Sequence, residues 1–256
     1  MALFLIGLGL WNLKDITLEG LELAKAAKRV YVENYTSMSG FSLAELEQLL
    51  GRKVQPADRS TMEEHSHEII NAAAKEDVAV LVFGDPLVAT THTELLLEAA
   101  KRKILTRIVH NASIFTAVAE TGLFLYNFGK TISIPFQARD ATQNIETPYR
   151  VLQKNRSINA HTLFLLDLNP QKKEFLSIHE ALDYLARAEQ KCKENIFNEQ
   201  TLCIGCARLG SSDAKIVAAP AAKLRKIDFG APPYVLIVPA AELNFKEREA
   251  LERFAV

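Results

Sequence analysis

Four short stretches of this chain hold side chains that could do chemistry. Gly7-Leu8-Gly9-Leu10-Trp11-Asn12 closes an apolar run, and glycine turns after a first strand often cradle phosphates. Gly84-Asp85-Pro86-Leu87-Val88-Ala89-Thr90-Thr91-His92 sets a carboxylate directly after the most apolar run of the first half. His110-Asn111-Ala112-Ser113-Ile114 places small residues and a hydroxyl beside a histidine, and Cys203-Ile204-Gly205-Cys206 has the spacing of a zinc or redox pair.

The glycine turn departs from a dinucleotide fingerprint. That motif needs a third glycine so that helix and strand can pack closely, and Asn12 stands there. The next helix begins only near Thr17, behind Asp15, with Thr17 as its cap. Glu33 is close to the acidic ribose-binding position after the second strand but does not clearly occupy it. What the two glycines allow is close approach of the backbone to a flat or bulky ligand.

Gly-Asp-Pro is a turn signal, so the plain reading of the second stretch is a strand exit, with Thr90 or Thr91 capping a helix. The chemical reading rests on its place. Ligands of open parallel sheets bind beyond the carboxyl ends of the strands, where Asp85 could accept from a hydroxyl or ammonium group. Ser113 at the end of the next strand reads first as a helix N-cap, although its small neighbours also permit backbone contact with a ligand. Cys203 and Cys206 lie in the strand-like TLCIGCARL, where residues three apart point to opposite faces; both are expected in the core. His65 and His67, two apart on an expected helix, should diverge likewise, and no metal site is expected. There is no G-x-S-x-G elbow and no Walker sequence, so the chemistry open to the chain is mainly that of positioning a reactive cofactor.

These stretches need elements to hold them. Apolar runs ALFLIGL, RVYVEN, DVAVLVFG and TRIVH alternate with helical patterns at Leu18–Ala27, Ser42–Leu50, Glu63–Lys75 and Thr93–Arg102. That βαβ series predicts a parallel sheet with helices on both faces. Beyond Asn111 the runs KTISIPF, HTLFLLDL, TLCIGCARL, KIVAA and PPYVLIVP come with helices over ASIFTAVAETG, Thr147–Asn155 and Ser177–Lys193, and the later strands follow short turns. This predicts a mixed sheet with hairpins. The expected architecture is therefore α/β with two domains, 1–110 and 111–256, and a cleft between them.

Composition narrows the partners. Of 256 residues 48% are hydrophobic and 24% charged, ample for buried cores, and the formal charge of -1 argues against a strongly electrostatic nucleic-acid or membrane partner. No apolar stretch reaches membrane-spanning length, and MALFLIGLGL reads as a strand rather than a signal peptide. Three cysteines make no disulfide framework. A cytoplasmic protein is expected.

Taken in order, GLGL with DIT, the segment from Glu33 to Ser37, GDPLVATTH, HNASI, LYNFGKT, LFLLDL, ARLGS and DFGAPPYVLIVP resemble the diphthine synthases, a branch of the tetrapyrrole-methylase superfamily. GDP after a strand is widely shared there; GDPLVATTH followed by Ser-Ile at the domain junction is more specific. The resemblance implies S-adenosyl-L-methionine as methyl donor, spent as S-adenosyl-L-homocysteine, in the cleft between the two domains of a tetrapyrrole-methylase-like fold. It implies repeated N-methylation of the modified histidine of translation elongation factor 2 in diphthamide biosynthesis, by a homodimer. Carried over by motif, Leu10, Asp85, Val88, Ser113 and Ile114 should touch the cofactor, as should Leu166, Leu209 and Tyr234 of the second domain. Tyr234 stands where many members have histidine, a change that a backbone contact would survive and an imidazole contact would not. Asn111-Ala112 is nearer the eukaryotic form, while the compact length leans toward the archaeal type that stops at three methyl groups. Tyr35 has two readings: core packing, or an acceptor-side ring facing the growing quaternary ammonium. Rival functions are methylation of a corrinoid carbon and a non-catalytic nucleotide-binding module.

Overall fold

The computed structural model describes residues 1–143 and 145–256, and the chain divides into two units, Met1–Ala117 and Val118–Val256. The sequence places the junction at 110; the units meet inside the run ASIFTAVAETG, which folds as a short α-helix and then a 3-10 turn.

In the first unit β1 (Ala2–Gly7), α1 (Leu18–Ala26), β2 (Arg29–Glu33), α2 (Leu43–Leu50), β3 (Gln55–Ala57), α3 (Ser66–Ala73), β4 (Val78–Val82), α4 (Thr93–Lys101), β5 (Leu105–Val109) and α5 (Ile114–Ala117) follow in order. The strands form one parallel sheet in the order β3-β2-β4-β1-β5. Strand alternation splits the apolar side chains between its faces. Leu3, Leu5, Val78 and Val80 pack with Ile69, Ile70, Leu95 and Ala99 of α3 and α4. Ile6, Val30, Ala79 and Leu81 pack with Ala24, Leu46 and Leu50 of α1 and α2. All five residues of β4 are buried, as a strand covered on both faces must be. Two helix starts follow from sequence: Thr17 accepts from the Gly20 amide at 3.0 Å, and Ser42 with Glu45 forms a capping box. The helix expected over Glu63–Lys75 is instead a π-helical turn, Ser60–Glu64, broken at His65 before α3. The His65 and His67 rings consequently do not diverge but meet edge-on with centroids 6.0 Å apart.

The second unit runs β6 (Ile132–Ile134), α6 (Thr147–Ser157), β7 (Thr162–Leu166), β8 (Leu168–Asn169), β9 (Glu174–Phe175), α7 (Ile178–Cys192), β10 (Leu202–Ala207), β11 (Lys215–Pro220), α8 (Ala221–Leu224), β12 (Tyr234–Val238) and α9 (Phe245–Leu251). Its main sheet has the order β11-β10-β12-β7-β6; β6 and β7 are parallel and the other neighbours antiparallel. The mixed sheet is the one the later strands predict, with β10 and β11 as a hairpin. Helix α7 starts at a Ser177–Glu180 capping box and buries Ile178, Ala181, Leu182 and Leu185, the spacing of one helical face. Among the described residues no helix is long and apolar enough to cross a membrane.

Candidate functional site

The GLGL turn is held by the chain against itself. Gly9 and Gly84 pair reciprocally, Gly9 N donating to the Gly84 carbonyl at 3.2 Å and Gly84 N to the Gly9 carbonyl at 2.8 Å. Gly9 has φ +81°, and a Cβ there would lie 2.4 Å from that of Asp15; a Cβ on Gly7 would lie 2.6 Å from the Gly84 carbonyl oxygen. So the space beside these glycines is taken up by the chain itself, by the Gly84 carbonyl and the side chains of Asp15 and Asn111. Asn12, in place of the third glycine, accepts from the Lys14 amide, and Asp15 accepts from the Trp11 and Asn12 amides at 2.8 and 2.9 Å. A one-turn 3-10 helix thus intervenes before α1 begins at Leu18. Leu10 sits half-buried at the turn's crest.

Asp85 and Val88 follow β4 at the carboxyl edge of the sheet. Asp85 is 6% exposed. Its carboxylate accepts from His110 Nδ1 at 2.7 Å, from the Asn111 amide at 3.2 Å and from the Leu87 amide at 3.0 Å. A carboxylate offers about four lone-pair positions, so one remains for a further donor. His110 is the partner that sequence reasoning missed; its ring is two-thirds exposed at the end of β5. Asn111 ties β5 to the glycine turn, its amide donating to the Gly7 and Asp15 carbonyls, each at 2.9 Å. Ser113 is buried and caps α5 locally, accepting from the Phe115 amide at 3.2 Å, while Ile114 is half-buried. The cap expected of Thr90 or Thr91 at α4 is not formed; His92 is the N-cap, and the Thr90 hydroxyl accepts from its amide at 3.2 Å.

Glu33 and Tyr35 lie beneath that loop. Glu33 is fully buried, so its carboxylate is sealed from any ribose. Tyr35 is 7% exposed and packs in the core between the sheet and α3 and α4, which settles its two readings in favour of packing.

In the second unit, Leu166, Leu209 and Tyr234 converge on one end of the main sheet. The antiparallel register pairs Ala207 with Tyr234 and Leu165 with Val235, placing Leu166 across from Tyr234 and Leu209 just beyond β10. Leu166 and Leu209 are buried; Tyr234 is half-buried, its hydroxyl donating to the Gly230 carbonyl in the turn before β12. That turn carries the cis Pro232-Pro233 bond, and the Pro233 carbonyl accepts from the Arg208 amide at 3.0 Å. Cys203 and Cys206 are both buried, and burial pushes the Cys203 thiol up to about 12, far from a reactive thiolate. Among the described residues no three His, Cys, Asp or Glu side chains gather as a metal site.

A model of the tetrapyrrole (corrin/porphyrin) methylases matches residues 2–225, the span that holds the glycine turn, the Asp85 loop and β10. The chain belongs to that family. Among tetrapyrrole methylases it is 40% identical to a probable diphthine methyl ester synthase of Arabidopsis thaliana, over 98% of this chain and 97% of that protein. It is 41% identical to a diphthine synthase of Archaeoglobus fulgidus, over 98% of this chain and 94% of that protein. A crystal structure of a diphthine synthase superposes with TM-score 0.90 at 41% identity, covering all of this chain and 96% of the other. This tetrapyrrole methylase is thus an enzyme of methyl transfer, with the two-part α/β architecture the sequence predicts.

Proposed function

We propose that the chain is a diphthine synthase: it transfers methyl groups from S-adenosyl-L-methionine to the amino nitrogen of the modified histidine, 2-(3-carboxy-3-aminopropyl)-L-histidine, of translation elongation factor 2. The observation that carries this reading is the buried Asp85 carboxylate, held by three protein donors with one acceptor position left. Such a carboxylate suits a hydroxyl or ammonium of the donor molecule, and half-buried Leu10, Val88 and Ile114 offer apolar contact beside it. For Leu166, Leu209 and Tyr234 the same role rests on the resemblance alone. S-adenosyl-L-methionine supplies a methyl group on a positive sulfonium. The chain's part is to fix that carbon in line with the acceptor nitrogen and to exclude water, positioning that can supply roughly 7–11 kcal/mol of rate enhancement.

The test is transfer of labelled methyl from S-adenosyl-L-methionine to elongation factor 2 purified from a strain that cannot methylate it. Label on the factor supports the proposal. Binding without transfer supports a non-catalytic module, and transfer to a corrinoid alone supports the family rival. A second reading has its own observation: the Arabidopsis relative is named for a methyl ester. A methyl on oxygen is released by mild alkali whereas one on nitrogen persists, so alkali treatment and mass spectrometry distinguish the two and count the methyl groups. The same reading carries a cytoplasmic homodimer, which sedimentation velocity tests for the assembly.

A further inference from the structure

Three buried polar atoms gather under the Asp85 loop, and each lacks a hydrogen-bond partner: Glu33 Oε2, His92 Nε2 and the Tyr35 hydroxyl. Buried polar atoms are nearly always paired, so such a cluster calls for a physical account. Two of the three face each other. Glu33 Oε2 lies 3.6 Å from His92 Nε2, the side chains 0% and 1% exposed. The other edges of both groups are fixed. Glu33 Oε1 accepts from the Thr36 hydroxyl and from the Phe83 amide at 3.4 Å, and His92 Nδ1 meets the Pro86 carbonyl at 3.2 Å.

These contacts dictate the protons. A carbonyl only accepts, so the proton of His92 is on Nδ1 and its Nε2 presents a lone pair to Glu33. A charged carboxylate would then face a lone pair in a sealed core, which is repulsive. One proton between them turns the same approach into an attraction. Burial pushes the Glu33 carboxyl up to about 7 against the opposing hydrogen bonds from Thr36 and Phe83. Burial also lowers His92, against the Pro86 hydrogen bond and Glu63. Both shifts favour the pair with a single proton and no net charge.

The placement gives the pair its role. Glu33 holds Phe83, where the loop leaves β4, and faces His92, where the loop enters α4; His92 in turn holds Pro86 within the loop. One carboxyl at the end of β2 thereby braces both ends of the segment that carries Asp85 and Val88. We propose that Glu33 and His92 are positioning residues that form a single-proton latch on the loop 84–91, and that loss of the proton loosens the loop and weakens methyl-donor binding. The second half of that statement rests on the loop being the donor site. The other titratable and charged groups around the latch are Tyr35 from beyond β2, Asp58 and Arg59 before the π-helical turn, and Glu63 within it. The Arg59 guanidinium stands 5.3 Å from the Tyr35 ring centre, and Glu63 accepts from the Thr91 hydroxyl at 3.2 Å. Of these, Glu63 is the one whose charge acts on His92, as a second carboxylate at the rim.

Hydrogen–deuterium exchange of the loop amides in the full chain, corrected for intrinsic rates, tests the latch without a ligand. Between about pH 6 and pH 8.5 the 84–91 amides should lose roughly tenfold in protection relative to those of β4. Glu33→Gln, whose amide offers Nε2 a permanent donor, should remove that slope; His92→Leu should leave the loop weakly protected at every pH. A flat wild-type profile overturns the latch, and so does an unchanged slope in Glu33→Gln. Should Glu33→Gln fail to fold, the wild-type profile together with His92→Leu decides. Calorimetry with S-adenosyl-L-homocysteine on the same samples separates the two readings. Affinity that falls with loop protection supports both; a pH-dependent loop with no binding in any sample refutes the donor site and keeps the latch.

Discussion

At the scale of single residues, the proposed methyl-donor site is tested most directly at Asp85. Asp85→Ala should weaken S-adenosyl-L-methionine binding by at least about tenfold, or 1.4 kcal/mol, through loss of a charge-assisted contact. Unchanged affinity by calorimetry would remove Asp85 from the site. Asp85→Asn keeps the volume and one acceptor, and should fall between the two. Asp85 is legible in the sequence because Gly-Asp-Pro after an apolar run specifies both a turn and its place at the sheet edge. Its restraint by His110 is not legible: the two are 25 positions apart, and only the parallel sheet, with β1 lying between β4 and β5, brings them together. Asn111 shows the same limit more sharply, since its amide closes onto Gly7, 104 positions earlier. Tyr35 shows the other direction, since the sequence left two readings of it open and its burial favours packing. Aromatic chemistry suggested a role facing the acceptor, whereas its position beside β2 made it part of the core, the commoner fate of a ring on a strand-borne segment.

At the scale of elements, Glu247 on α9 shows how one buried carboxylate organises a helix. Its Oε1 accepts from Phe124 N, Asn127 Nδ2 and His161 Nε2 at 2.9, 3.1 and 3.0 Å, and its Oε2 from Asn244 N at 3.0 Å. His161 Nδ1 accepts from the Ala240 amide at 2.9 Å, which leaves its proton on Nε2 for Glu247. Burial raises this carboxyl, but the hydrogen bonds outweigh burial and hold its pKa below the usual 4.5. A carboxyl depressed on folding adds stability that is present above its unfolded pKa and lost as pH falls through the folded one. Glu247→Ala should therefore cost about 3 kcal/mol or more at neutral pH, with the loss shrinking below about pH 4, as urea unfolding across pH will measure. The helix itself is missing from the sequence reading, although Asn244 followed by Glu247 is a cap signal of the same type as Ser177 with Glu180. Short pieces fail for a related reason: β3 contains Pro56 and β8 and β9 span two residues each, too little to establish a period. The long strands were legible because a strand buried on both faces leaves an unbroken apolar run, and β4 is the plainest case.

At the scale of the whole molecule, two sheets with separate hydrophobic cores each bring their candidate residues to one end. A ligand that binds only the folded chain must stabilise it. S-adenosyl-L-homocysteine at about one hundred times its dissociation constant should add roughly 2.7 kcal/mol to the unfolding free energy, and the same ligand concentration should add less to Asp85→Ala, whose dissociation constant is higher. Differential scanning calorimetry reads both, and equal shifts would place the ligand elsewhere. The glycine turn also has an optical consequence. Trp11, the one tryptophan of the chain, follows Leu10 directly; its carbonyl accepts from Gly40 N at 2.8 Å, and its indole lies so close to Gly40 that any side chain there would collide with it. Excitation of the indole therefore reports on this turn alone, so a titration followed at its emission reads the turn's environment directly, with no label introduced.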